Sequence, residues 1–363
     1  MLTILKKFFE EKMIIVMRRA KILYIDFPCK IEACVKKNND LFFLLKDMNL
    51  FCSYNLKDDT SKVLSSIPDE KMFSERLCGK MLVWKNEIIL LPLNAKKIHL
   101  YNLDSGTWRS ITINNEHVIY KFLEGIVYKD TLYAFGHYYK SIVKVDLLNL
   151  NVEYIDISNY KGSDKDTIIG TQIVAIGDIA YLPLCNFDKI IAFNMNNNSI
   201  EEIDIDNDNK GFTAINYIDD KFFLASRIGQ QIVLWNNKSI YKKIKGINSE
   251  YRGLYYHGII PEKNEIYFPS THENEIQIMQ NEKITLNKGN SLTEFCNSIS
   301  DNNYAIIDSL GNLTIFDGEE KKYNCRIEKK SVVNYIKIKS CANEDVIIEK
   351  DCFGLNSLIS TII

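Results

Sequence analysis

Apolar residues along this chain alternate with polar ones in short runs, and the runs are separated by clusters of Asn, Asp, Ser and Gly. A period of two in runs of four to seven residues, bounded by turn formers, predicts strands and not helices. Residues 120–157, YKFLEGIVYKDTLYAFGHYYKSIVKVDLLNLNVEYIDI, show the pattern most fully. They read as four short strands joined by tight turns. A four-stranded unit this small cannot bury its own two faces, so it requires neighbours of the same kind.

The chain supplies those neighbours. A strand, an Asn or Asp turn and a second, mostly apolar strand recur around Asn39, Asn86, Asp130, Asp178, Asp220, Asn264 and Asn302, at separations of 47, 44, 48, 42, 44 and 38 residues. Asn and Asp bond their own backbone and tolerate left-handed conformations, so dipeptides such as Asn86-Glu87 and Asp130-Thr131 can reverse the chain. Third strands follow at 98–103, 142–147, 190–195 and 313–316, and fourth strands at 108–113, 152–157 and 200–205. The expected fold is all-β, a closed β-propeller of four-stranded antiparallel blades, because a flat stack of such sheets would leave long apolar faces exposed. The expected number of blades is seven, with six plus a diverged remnant as the alternative.

Residues 20–27 resemble a fourth strand ahead of the first full unit and are expected to close the ring by pairing near 332–338. Residues 1–19 form an N-terminal segment, with Leu5, Phe8 and Phe9 on one side of a short helix. The propeller spans 20–345. Residues 346–363 form a C-terminal segment, where Leu355, Leu358, Ile359 and Ile362 have helical spacing behind a cap at Asp351.

Two stretches are specific beyond the pattern. IHLYNLDSGTWRSI (98–111) has a Tyr strand, an acidic turn and a following Trp, and EGIVYKDTLYAFGHYYKSIVKVDL (124–147) has the matching earlier half of the repeat. In these the chain resembles the kelch and galactose-oxidase-like β-propellers. A paired glycine follows the second strand in that group; here Gly136 stands alone and Pro92, Leu184 and Pro269 hold the equivalent positions. The resemblance implies the propeller fold and leaves the function open, since propellers serve as enzymes, receptors and scaffolds.

Composition narrows the function. Lys plus Arg (45) nearly balances Asp plus Glu (47), a formal net charge of -2 that offers no pull toward nucleic acid. Nine cysteines, an odd number without a Cys-x-x-Cys, fit free thiols in a reducing compartment, and the default location is cytoplasmic. The apolar run 13–17 is too short for a signal-peptide core, and no run approaches a membrane span.

Local chemistry is sparse. The histidines at 99, 117, 137, 257 and 272 stand singly, without zinc-motif spacing, so no metal and no cofactor are expected. Asp204, Asp206 and Asp208 begin like a calcium loop, but Asn209 replaces the required Gly and Ile215 the required Glu. No Gly-x-Ser-x-Gly, Walker loop or Gly-x-Gly-x-x-Gly occurs.

Geometry shows where to look instead. With first strands innermost, the loops joining second to third strands and those joining successive blades open on one face. That face would carry His137, Tyr138, Asn186, Arg227 and His272 from the first set, and Arg76, Tyr120, Lys121 and Arg252 from the second. Aromatics mixed with Arg, Asn and His suit gripping a peptide or stacking on a sugar. The leading expectation is a non-catalytic propeller that binds a protein or peptide partner through this face. The alternative is a carbohydrate-active enzyme (epimerase, lyase or hydrolase) using His137, His272, Arg227 or Arg252, or a glycan-binding module.

Overall fold

The runs DLFFLL, EIILLP, TLYAFG and KFFLAS are second strands, and their surroundings explain why they are almost continuously apolar. In Asp40–Leu45, Leu41, Phe43 and Leu45 face the last blade, whereas Phe42 and Leu44 face the next one. A strand buried on both sides has no position left for a polar residue. The computed structural model describes residues 27–335, apart from 29, 115–116, 163–166, 207, 209–210, 237–238, 248–255, 272–273, 289–291, 301–302, 319, 328–330 and 333–334.

Seven four-stranded antiparallel sheets, each in simple sequence order, form the blades of a β-propeller. Their innermost strands are Ile31–Lys37, Cys78–Trp84, Phe122–Tyr128, Val174–Ile176, Phe212–Ile218, Ile260–Glu262 and Thr293–Ser300. Seven apolar layers alternate with the blades, and the layer containing Ile31, Phe43, Phe295 and Ile307 joins the last blade to the first, so the ring is closed. The expected count of seven holds, and the six-blade alternative does not.

Closure differs from the expectation in detail. The fourth strand of the last blade, Glu320–Asn324, comes from the same continuous segment as its other three, leaving no place there for an N-terminal strand. The ends meet instead as a two-stranded ribbon, Phe27 opposite Ile327 and Pro28 opposite Arg326, with Ser61 Oγ of the first blade donating to Arg326 O at 2.7 Å. The expected terminal helices at 1–12 and 351–363, residues 20–26 and 336–338 lie outside the described residues.

The hairpin turns also correct one expectation. Trp84 pairs with Glu87, so the two-residue loop is Lys85-Asn86, one residue earlier than expected, and Lys85 takes the left-handed backbone (φ 51). Asn38, Lys129, Gly177, Asp219 and Lys263 do the same ahead of their Asn or Asp. At two of these turns the Asn or Asp side chain reaches the preceding blade. Asn86 Oδ1 accepts from Lys37 Nζ at 2.7 Å, and Asp130 Oδ1 accepts from Trp84 Nε1 at 3.0 Å and lies 2.9 Å from Lys85 Nζ.

The residues that carry the kelch resemblance have clear structural tasks. Trp108 spans two blades, its Nε1 donating to Ser65 Oγ at 2.8 Å and its ring lying 5.4 Å from Phe51. Gly136 is fixed by close approach: a Cβ there would lie 1.8 Å from Tyr139 O.

Candidate functional site

The innermost strands of the first, second, third, fifth and seventh blades each carry a one-residue register shift near their start. Such bulges re-aim the next side chain. In the second and third blades that residue is charged: Lys80 and Glu124, each 3% exposed. Lys80 Nζ lies 3.2 Å from Glu124 Oε2 and donates to Ser298 O (3.2 Å) and Ser298 Oγ (3.0 Å) of the seventh blade. Asn297 Nδ2 donates to Glu124 Oε1 and, at 3.3 Å, to Thr171 O.

The network runs on through the other blades. Thr171 Oγ1 donates to His257 O (3.1 Å) and Thr213 O (3.2 Å). Gln172 brackets Ile259, donating to its carbonyl (2.9 Å) and accepting from its N–H (2.6 Å), and Asn216 Nδ2 reaches the same carbonyl at 3.0 Å. Six of the seven blades are thus joined across the axis, and side chains fill the hub where it runs past these residues. Burial pushes the Glu124 carboxyl above its usual range, against the opposing pull of Lys80 and then the Asn297 amide.

The expected loop face forms as the topology requires, because each loop between second and third strands is bonded to the loop entering the same blade. Asn94 N donates to Arg76 O (3.0 Å), Tyr138 N to Tyr120 O (3.1 Å) and Arg227 N to Gly211 O (3.0 Å). Arg76 (φ 52) and Tyr120 (φ 53) hold the left-handed backbone, which costs a non-glycine residue on the order of 1 kcal/mol. Both are half-buried and meet side chain to side chain.

Arg76 Nε is 3.8 Å from Glu32 Oε2, and its guanidinium lies 5.9 Å from the centre of the Tyr120 ring. Tyr120 stands edge-on to Tyr138 at 5.7 Å, and Tyr138 to His137 at 5.0 Å. His137 Nδ1 is 2.6 Å from Ile169 O; a carbonyl only accepts, so Nδ1 carries the proton and donates. Burial lowers the His137 imidazolium to about 4, with the Arg227 charge adding to the effect. Arg227 Nη1 donates to Cys185 O (3.1 Å) and to Asn186 Oδ1 (2.7 Å), and Asn186 Nδ2 donates to Thr167 O.

Five of the residues expected on this face, Arg76, Tyr138, His137, Asn186 and Arg227, therefore line one run over the second to fifth blades, with Tyr120 among them. Arg252 and His272 lie outside the described residues. Lys121 was expected on the face and is not there: it is fully buried, its Nζ donating to Ala95 O at 3.0 Å. The hub residues were not anticipated from sequence. A signal existed, since Lys80 and Glu124 are lone charges inside apolar runs, 44 residues apart, the spacing of the turns in the same two blades.

No protein-family model and no curated protein matches the sequence. Solved structures similar to the chain are β-propellers. They include virginiamycin B lyase from Staphylococcus aureus (TM-score 0.61, 14% identity, covering 78% of this chain and 93% of that one). A chain of the mitotic checkpoint complex has TM-score 0.58 and 11% identity, covering 80% of this chain and 90% of that one. The WD40 repeats of RRP9 have TM-score 0.57 and 11% identity, covering 78% and 89%. At these identities the likeness is one of fold.

Proposed function

We propose that this protein is a non-catalytic β-propeller that binds a protein or peptide partner on its loop face. The observation that carries the reading is the run from Arg76 through Tyr120, Tyr138 and His137 to Arg227, half-buried and already held by hydrogen bonds and ring contacts. Tyr and Arg dominate binding energy at interfaces, and side chains fixed beforehand lose little entropy on docking. Kelch-like ancestry and a cytoplasmic setting belong to the same proposal. The six cysteines among the described residues, Cys34, Cys52, Cys78, Cys185, Cys296 and Cys325, are buried and outside any disulfide.

The alternative, a carbohydrate-active enzyme, would use His137 as acid or base. Its imidazolium at about 4 makes it a weak proton acceptor near neutral pH, where an effective base is poised near the working pH. Its nitrogen Nδ1 is also committed to Ile169 O. The low imidazolium value suits an orienting side chain better than a proton carrier, whereas the Nδ1 bond leaves Nε2 as the nitrogen that would carry the proton.

The test is selection of a displayed peptide library on the full chain, followed by affinity measurement with Arg76→Ala and Tyr120→Ala and by a sugar-turnover assay. We expect each substitution to weaken selected peptides by about 2 kcal/mol, roughly thirtyfold. Unchanged affinity in both variants, or turnover of a sugar that His137→Ala abolishes, would overturn the reading.

A further inference from the structure

On the side opposite the loop face, the hairpin turns of the first three blades share a device. The residue just before each turn, Lys37, Trp84 or Tyr128, donates a hydrogen bond to an acceptor on the next blade: Asn86 Oδ1, Asp130 Oδ1 or Asn196 Oδ1. The sixth blade inverts this chemistry. Its residue at that position is Glu262, an acceptor, and across the Lys263-Asn264 turn it pairs directly with Glu265, another carboxylate. Like charges placed opposite one another in a hairpin repel.

Glu262 is 8% exposed, and its Oε1 is buried without a hydrogen-bond partner. It lines a cleft of about 310 Å³ between the sixth and seventh blades, with Glu265, Tyr267 and, from the seventh blade, Glu320. Glu265 Oε2 accepts from the Tyr267 hydroxyl at 2.8 Å, and Glu320 lies 3.0 Å from the exposed Lys322. Lys263 lines the same cleft. The apolar layer beneath is the thinnest of the ring, five buried residues against eighteen between the seventh and first blades, among the described residues.

We propose that this cleft binds an organic cation, an alkylammonium or guanidinium group, which supplies to Glu262 the donor that the first three blades supply from their own chains. Tyr267 lines the cleft beside the carboxylates, so the chain carrying the charge can lie along its ring while the tip reaches the carboxylate. No group of three metal-binding side chains converges among the described residues, which sets the site apart from one for a divalent metal. The source of the cation is either a basic side chain of another protein or a free amine. This site is independent of the loop-face reading and stands or falls separately.

Calorimetric titration of the full chain with agmatine, with the peptide acetyl-Gly-Arg-Gly-amide and with Mg²⁺ tests it. Wild type should bind agmatine or the peptide, with affinity falling as salt rises. Glu262→Gln, nearly isosteric, should weaken binding at least tenfold. Glu320→Gln, a change at an exposed side chain that leaves folding intact, should weaken it several-fold. Binding of the peptide alone assigns the site to a partner's side chain, and binding of agmatine as tightly as the peptide assigns it to a free amine. Absence of binding by both, equal binding by wild type and Glu262→Gln, or a preference for Mg²⁺ would each overturn the proposal.

Discussion

Between the first and second blades, Phe42, Leu44, Met81, Ile88 and Leu90 pack as an apolar layer in which each side chain touches several others and depends on no single one. On the axis, Lys80, Glu124, Asn297, Thr171 and Gln172 each depend on a particular donor or acceptor from another blade. The layers supply most of the driving force, about 1.5–3 kcal/mol for each large side chain buried. They do not distinguish one blade from the next, and volume-conserving exchanges there cost little. The hub supplies less net energy, because desolvating an ion pair offsets its attraction. What it adds is register, since sliding one blade along the axis would strand several buried polar groups at once.

The largest effect should come from breaking the hub. Lys80→Met leaves Glu124 buried without its cation, and removing one partner of a buried pair typically costs about 3–5 kcal/mol. Urea denaturation should show a lower midpoint at unchanged slope. Adding Glu124→Leu should restore most of the loss, because apolar replacement of a whole buried pair is often nearly neutral. A double variant no more stable than the single would remove the ion pair as the cause.

Acid sharpens the same contrast, because the layer and the hub each contain a buried titratable group and the two respond in opposite directions. His99 is 1% exposed, with Nδ1 bonded to Ser110 Oγ at 2.9 Å and Nε2 unpartnered, and burial followed by the Lys97 charge lowers its imidazolium to about 4. The unfolded chain binds that proton first, so stability is full above the ordinary histidine value and falls as pH drops from about 6.5 to about 4. The loss approaches roughly 3 kcal/mol. Glu124 is shifted upward, so the native state binds its proton first, and its contribution rises as pH falls through its raised value. His99→Phe should flatten the acid limb of stability against pH, and Glu124→Gln should steepen it. Parallel acid limbs in all three proteins would refute the assignment.

The contrast also explains what could be read before the fold was known. Alternation such as Leu41, Phe43, Leu45 against Phe42, Leu44 is local, so seven blades followed from turn spacing and strand period. The face carrying Arg76, Tyr138, His137, Asn186 and Arg227 followed from topology, which decides where loops open. Their contacts did not follow, since Arg76 and Tyr120 meet across two blades through left-handed residues that carry no sequence mark. Lys121 was misplaced because it directly follows the half-buried turn residue Tyr120 and is already buried, immediately before the strand Phe122–Tyr128. The hub partners Glu124 and Asn297 are 173 residues apart, and no local pattern joins them.

The smallest effects belong at the rim, where the chemistry of the hub recurs in water. Arg109 grips Glu87 with two hydrogen bonds, at 2.9 and 2.5 Å, while Lys242 reaches Glu282 through one at 2.6 Å. Glu87 is largely buried, its side chain 10% exposed, whereas the Lys242 and Glu282 side chains are 44% and 37% exposed. Bidentate geometry and partial burial should make Arg109→Ala cost about 1 kcal/mol, in part because Glu87 is left without its cation. Lys242→Ala should fall within about 0.5 kcal/mol of wild type and lose even that in high salt. Were Lys242→Ala to approach the cost of Lys80→Met, burial would not be what separates hub from rim, and the ring would rest on its charges wherever they lie.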